Sequence, residues 1–295
     1  MIWRERGVTL IELMITMVIS AFLVAAMYTF FITQQRTYAV QDNVADMQQN
    51  ARMSLITLVR NVRMAGYGVP SSCALAAINS TTAPDGIFVS NSDAIQILPD
   101  SVIFYAELAS NVSAGATSIT VNAGDTDIDG NGSDDFVANG ALIISDGTNT
   151  EGMVIANGYT SGDATITFAS GFSLANAYTS DTASVVPAIY YTVSNHELVE
   201  DNQSIALNIE DLQIAYQDSA GNWYCSDASH TVAPTDISSI RVVDVNVLAR
   251  TNVEDTEETT LSQPALKDHT TSLSTSDGFR RRLFSTQVNL RNLGL

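Results

Sequence analysis

The chain has 295 residues, of which 45% are hydrophobic and 15% charged; this is enough apolar material for one or two domains with a core and excludes disorder throughout. With 13 Lys+Arg against 32 Asp+Glu, its formal charge of −19 repels nucleic acid and anionic headgroups. The charge is segregated: six cations (Arg4, Arg6, Arg36, Arg52, Arg60, Arg63) lie in the first 63 residues, and residues 64–240 hold 21 acids and no Lys or Arg.

A short head, Met1 to Gly7, carries Arg4 and Arg6, and Val8 to Phe31 carries a single charge, Glu12. Twenty-four helical residues span about 36 Å, sufficient for a hydrocarbon core of about 30 Å. The segment reads as membrane-spanning, with the Arg pair cytoplasmic and everything after Phe31 outside the cytoplasm. No small-residue cleavage site of the secretory kind follows Phe31, so the helix is expected to stay on the mature chain. A carboxylate at the edge of such a span is costly and calls for a partner or a route to the headgroups, which singles out Glu12.

Gly7-Val8-Thr9-Leu10-Ile11-Glu12-Leu13, after a basic head and before a long apolar run, resembles the class III signal of type IV prepilins and pseudopilins. The resemblance implies cleavage after Gly7 by a prepilin peptidase, methylation of the new amino terminus on Val8, and retention of the helix. It further implies that Glu12, the fifth mature residue, pairs with the amino terminus of a neighbouring subunit, a contact that fixes axial register in a low-dielectric bundle. Two features depart from the common pattern: Val8 stands where phenylalanine is commonest, and the apolar run has no proline.

Val40, Val44, Met47, Ala51, Leu55, Leu58 and Val62 then recur at helical spacing, with polar residues between them, and Gly66-Tyr67-Gly68-Val69-Pro70 punctuates the end. The stripe lasts little over three heptads, so it is read as a seam docking the helix onto its own globular domain rather than as a coiled coil. After Pro70 short β-branched and aromatic runs (Ala94 to Leu98, Val102 to Tyr105, Ser118 to Val121, Ala141 to Ser145, Ala164 to Phe168, Ala188 to Val193) alternate with turn residues. Ile205 to Tyr216 and Ile237 to Ala249 give the clearest strand alternation. The expected fold is α+β: leader 1–7, a transmembrane and stem helix 8–66, and a β-rich exported domain 67–295 whose antiparallel sheet packs on the helix, with a β insertion at about 107–186. Asn252 to Asp277 reads as a polar loop, and Phe279 to Asn292 as a closing strand with a basic start at Arg280, Arg281 and Arg282. Beside so acidic a body these arginines serve better as internal counter-ions or neighbour contacts than as a nucleic-acid patch.

Together with Ile209 to Tyr216 and Arg241 to Arg250, the closing strand resembles the PilW family of minor pilins, whose counterpart in type II secretion is the large J-type minor pseudopilin. The resemblance implies a pilin-like fold, other minor and major pilins as partners, and an inner-membrane subunit with a periplasmic domain that passes into an extracellular pilus, at or near its tip. Cys73 and Cys225 both lie on the exported side, where an oxidising compartment favours a disulfide between them over two buried thiols. Asp125, Asp127 and Asp129 alternate ahead of Gly130, as in a calcium loop, but Phe136 stands where the twelfth-position acid belongs; calcium and a simply solvated acidic turn both remain open. His196, His230 and His269 are scattered, and no G-x-S-x-G, P-loop or H-E-x-x-H occurs, so no enzyme is expected. Three readings follow: a minor pilin that supports pilus assembly; a minor pseudopilin of type II secretion; or a pilus-borne, calcium-dependent adhesive module built on the insertion.

Overall fold

In a computed structural model, which describes residues 8–78, 85–90, 103–128, 130, 132–225, 237–255 and 277–293, one helix, α1 (Leu10–Met64), precedes fourteen strands. The leader, Ala94 to Leu98 and most of the polar loop fall outside the described residues. The chain divides into two units, one ending at Asp46 and the other running from Met47 to Leu295.

In the first unit α1 is solvent-facing along its apolar run: Leu10 is 80% exposed, Phe22 73% and Phe30 71%. In the second unit one side of the helix is buried through Met47, Ala51, Ser54, Leu58 and Val62. The expected stripe thus holds, with Ser54 rather than Leu55 at its centre. Ser54 can be buried because its hydroxyl donates to the Asn50 carbonyl at 2.8 Å, and Leu55 is left half-buried beside it. The helix ends at Gly66 (φ 79), whose N–H donates to Ser90 O at 2.9 Å. Asn292 Nδ2 reaches back from the far end of the chain to the orphan carbonyls of Met64 and Ala65, each at 3.3 Å.

A 3-10 turn (Ser71–Cys73) leads into β1 (Leu75–Ile78), β2 (Gly86–Val89), β3 (Ala106–Glu107), β4 (Ser118–Thr120), β5 (Ala141–Ser145), β6 (Thr150–Val154), β7 (Thr165–Thr167) and β8 (Ser184–Ser194). Then come β9 (Glu197–Glu200), β10 (Gln203–Leu207), β11 (Ile209–Asp218), β12 (Trp223–Tyr224), β13 (Ile240–Arg250) and β14 (Arg281–Asn289). Ile205 to Tyr216 is two strands, because Asn208 takes the left-handed conformation (φ 62) that asparagine tolerates and so breaks the ladder. Ile103–Tyr105 is irregular rather than extended; its backbone is tied to the helix exit by the Phe104 N–H to Gly68 O bond at 2.8 Å.

Every ladder is antiparallel. One sheet follows the order β1-β2-β8-β5-β6, a second β12-β11-β13-β14, and β4 pairs β7 alone. Strand β8 is the shared spine of the first. Its first half pairs with β3 and β5, and its second half with β2 and β9.

The path curls on itself: a Cβ on Gly152 of β6 would stand 2.2 Å from the Phe88 ring of β2, so only glycine fits there. Phe88 stacks on Tyr190 at 4.4 Å, inside a core with Ala76, Ile143 and Val186. The insertion supplies a second core around Ile119, Phe136, Ile155, Ile166 and Tyr178. Strand β5 serves both cores, with Leu142 and Ile144 on one face and Ala141 and Ile143 on the other, so the insertion is built into the sheet and is not a detachable lobe.

Candidate functional site

The amino-terminal end of α1 is shaped by a reciprocal cap. Glu12 N–H donates to Thr9 Oγ1 at 3.3 Å, and Glu12 Oε2 accepts from Thr9 N–H at 3.2 Å and from its hydroxyl at 3.4 Å. Thr9-x-x-Glu12 is therefore a capping box, a signal legible in the sequence but overlooked in favour of the carboxylate's charge. All three bonds use Oε2 or the backbone, and Glu12 Oε1 takes none of them. Gly7 lies outside the described residues, and Val8 is 72% exposed.

From Val8 to Phe31 the helix offers apolar side chains on every side, and it is the one helix among the described residues long and apolar enough to cross a membrane. Its Ser and Thr hydroxyls are self-satisfied. Thr16 donates to Leu13 O at 2.9 Å, Ser20 to Thr16 O at 2.7 Å, and Thr29 to Ala26 O at 2.9 Å. A hydrocarbon surrounding or a sheath of neighbouring helices therefore meets no open donor from these side chains.

Two of the closing arginines, Arg280 and Arg281, are internal counter-ions. The Arg281 side chain, 2% exposed, donates from Nη2 to Glu210 Oε1 at 2.9 Å and from Nη1 to Asp277 Oδ1 at 2.6 Å, and these acceptors hold its guanidinium charged well above the ordinary range. Arg280 pairs with Asp255 at 2.8 Å, and Arg250 lies over the Phe279 ring at 4.3 Å.

Cys73 and Cys225 are both buried and stand as thiols. Cys73 Sγ faces Ser184 O at 3.7 Å, and burial pushes its pKa up to about 12, an inert thiol rather than a nucleophile. In the acidic turn Asp125 Oδ2 accepts from Glu107 N–H at 3.1 Å and Asp127 Oδ2 from Gly132 N–H at 2.8 Å, whereas Asp129 lies outside the described residues. Asp135 Oδ2 accepts from Ile128 N–H at 2.6 Å. Among the described residues no three His, Cys, Asp or Glu side chains are grouped to hold a metal ion. Of the histidines, His196 occupies a tight turn (φ 62), and His230 and His269 lie outside the described residues.

A prokaryotic N-terminal methylation motif matches residues 4–28, and the family described as type IV pilus-assembly protein W matches residues 176–292. The second match begins at residue 176, before β8, and ends just beyond β14, so it takes in the shared spine and the whole four-stranded sheet and leaves out all but the last residues of the insertion. The solved structure of a type IV-like pilin from Thermus thermophilus is 13% identical, over 84% of this chain and 98% of its own, with a TM-score of 0.38. No curated protein matches the chain. The chain thus carries the methylation motif at its amino terminus and resembles the type IV pilus-assembly protein W family over its carboxy-terminal part.

Proposed function

We propose that this chain is a minor pilin of the PilW family: it is held in the inner membrane by α1 with its body in the periplasm, is cleaved after Gly7 by a prepilin peptidase and methylated on Val8, and then enters a type IV pilus at or near the tip, where it supports assembly with other minor and major pilins. The observation that carries the reading is the exposed apolar run of α1, capped at Thr9 and Glu12. Burying apolar surface returns about 25 cal/mol per Å², so such a helix partitions into lipid or into a bundle of its own kind. That Glu12 Oε1 takes none of the capping bonds supports its pairing with an ammonium of a neighbour. The action is packing and charge pairing, with no catalytic step.

Mass spectrometry of the mature amino terminus tests the processing: a methylated Val8 is expected, and an intact Met1 or a cut beyond Phe31 would refute it. Glu12→Gln separates the two roles of that residue, because glutamine keeps the capping box but not the charge. Loss of surface pili in Glu12→Gln, with normal protein level, is the expected outcome. Deletion of the gene is expected to remove pili and spare protein secretion; the reverse phenotype would move the chain to a type II secretion system.

A further inference from the structure

We propose that the Asn157-Gly158 turn is a site of spontaneous covalent modification, at which the asparagine converts to aspartate and isoaspartate while the protein stays folded. Three Asn-Gly pairs occur in the sequence: Asn131-Gly132, Asn139-Gly140 and Asn157-Gly158. In such a pair the nucleophile is the glycine backbone nitrogen, which has no side chain beside it to hinder attack on the asparagine amide carbon. The Gly158 nitrogen gives up its proton and bonds to Asn157 Cγ. The bond from Cγ to Nδ2 breaks, and ammonia leaves with the equivalent of that proton. Water then opens the five-membered imide at either carbonyl, giving aspartate, or isoaspartate with the chain running through the former side-chain carbon. Water is the sole co-reactant.

The fold separates the three pairs. Gly140 is buried, its N–H donates to Val137 O at 3.1 Å and its carbonyl accepts from Ile155 N–H at 2.8 Å, while Asn139 is held at φ 62. Gly132 N–H donates to the Asp127 carboxylate at 2.8 Å, and the adjacent anion also opposes loss of the proton from that nitrogen. Attack at either place must first break a hydrogen bond. Asn157 and Gly158 are instead both exposed, in a turn closed by Tyr159 N–H to Ala156 O at 3.1 Å. Among the described residues neither the Asn157 amide nor the Gly158 N–H has a hydrogen-bond partner. The flanks of the turn are pinned: Ala156 N–H donates to Thr167 O at 2.9 Å, and the buried Tyr159 donates its hydroxyl to Asp163 O at 2.9 Å. The extra backbone atom of isoaspartate is therefore taken up within the turn, and the fold survives the change.

The inference stands apart from the assembly reading, and its test needs no pili. The full-length chain is aged in neutral detergent at 37 °C and pH 8.5, and its peptides are mapped by mass spectrometry that distinguishes aspartate from isoaspartate. Conversion at Asn157 is expected to be at least tenfold faster than at Asn131 or Asn139, a difference of about 1.4 kcal/mol in barrier, with an unchanged circular dichroism spectrum. In concentrated urea the three rates should converge, because the bonds that protect Gly132 and Gly140 are gone. Gly158→Ala places its Cβ where nothing lies within 4 Å, at a backbone angle outside the left-handed region. It should slow conversion at Asn157 at least tenfold and leave the urea midpoint unchanged, since the methyl group crowds the attacking nitrogen. Equal rates at the three pairs in the folded chain would overturn the proposal. So would an Asn157 amide that converts only in urea, or a Gly158→Ala chain that converts as fast as its parent.

Discussion

The four-stranded sheet and the insertion face the same difficulty, many carboxylates, and meet it differently. In the sheet the acids near the loop base are matched by cations: Glu210 and Asp277 share Arg281, and Asp255 takes Arg280. The insertion has no cation to use, and its carboxylates bind backbone N–H groups instead. Glu151 is the fullest case, accepting from Ala175 N–H at 2.6 Å, Asn176 N–H at 2.8 Å, Asn176 Nδ2 at 2.9 Å and the Tyr178 hydroxyl at 2.9 Å. An acidic chain can therefore stay folded by spending its negative charge on turns, where the donors are local and the chain order supplies them.

The two arrangements should break differently. Arg281→Met strands two carboxylates beside each other in a site of which the arginine side chain was 2% exposed, and is expected to cost about 3–5 kcal/mol, read as a lower urea midpoint with an unchanged slope. Glu151→Ala leaves four backbone and side-chain donors of residues 175–178 without their acceptor and should cost about 3 kcal/mol; Glu151→Gln, which keeps one acceptor oxygen, should cost about half of that. If Glu151→Ala proved harmless, the insertion would not depend on its carboxylates, and the contrast with the sheet would fail.

Asp201 tests the comparison on the spine between the two regions. It sits in the β9–β10 turn at φ 44, and its Oδ1 accepts from Tyr190 N–H at 2.9 Å. Burial, helped by the neighbouring Glu200, pushes its pKa up to about 6 from 3.8, against the lowering effect of the Tyr190 bond. A carboxyl whose pKa rises on folding costs stability when charged; that cost is full above about pH 6 and fades as pH falls towards 3.8. Asp201→Asn keeps the acceptor and tolerates the positive φ, so it should stabilise the protein by about 2 kcal/mol at pH 7.5 and by far less at pH 4.5, in urea melts at each pH. A gain independent of pH would show that something other than the charge is relieved.

The regions also differed in how far the sequence revealed them. Strand β13, 11 residues long, read out almost whole, because Val243, Val245 and Val247 are buried in turn along it, whereas the run that announced β11 also took in part of β10, parted from it at Asn208. Most insertion strands run to five residues or fewer, and their pairing was hidden: Ala141 to Ser145 could be placed as a strand, but nothing local showed that β5 joins two cores or that Gly152 must admit Phe88. Long-range contacts of this kind leave no periodicity. At the amino terminus the motif around Glu12 was plain, whereas its local bond to Thr9 was missed because the carboxylate was weighed as a charge and not as a cap. Arg280 and Arg281 are counter-ions as expected, but the partners of Arg281, Glu210 and Asp277, lie 71 and 4 residues away from it and only the fold names the first.

The smallest effect is expected at the acidic turn, and it bears on whether the insertion's backbone-bound carboxylates have a second use. Asp127 gives one oxygen to Gly132 N–H in an exposed turn, so Asp127→Ala should cost about 0.5–1 kcal/mol, since water replaces a bond made at the surface. Millimolar calcium then discriminates between the two readings of Asp125, Asp127 and Asp129. A carboxylate engaged only with backbone leaves the melting temperature unchanged on adding the ion, and Asp127→Ala behaves as the parent does. An ion held by the folded state raises it by adding RT ln(1 + [Ca]/Kd) to the stability, about 2.7 kcal/mol at a hundredfold excess over Kd, and Asp127→Ala would lose that gain. The first outcome is expected, because in each described Asp of the turn one carboxylate oxygen is already bound to the chain.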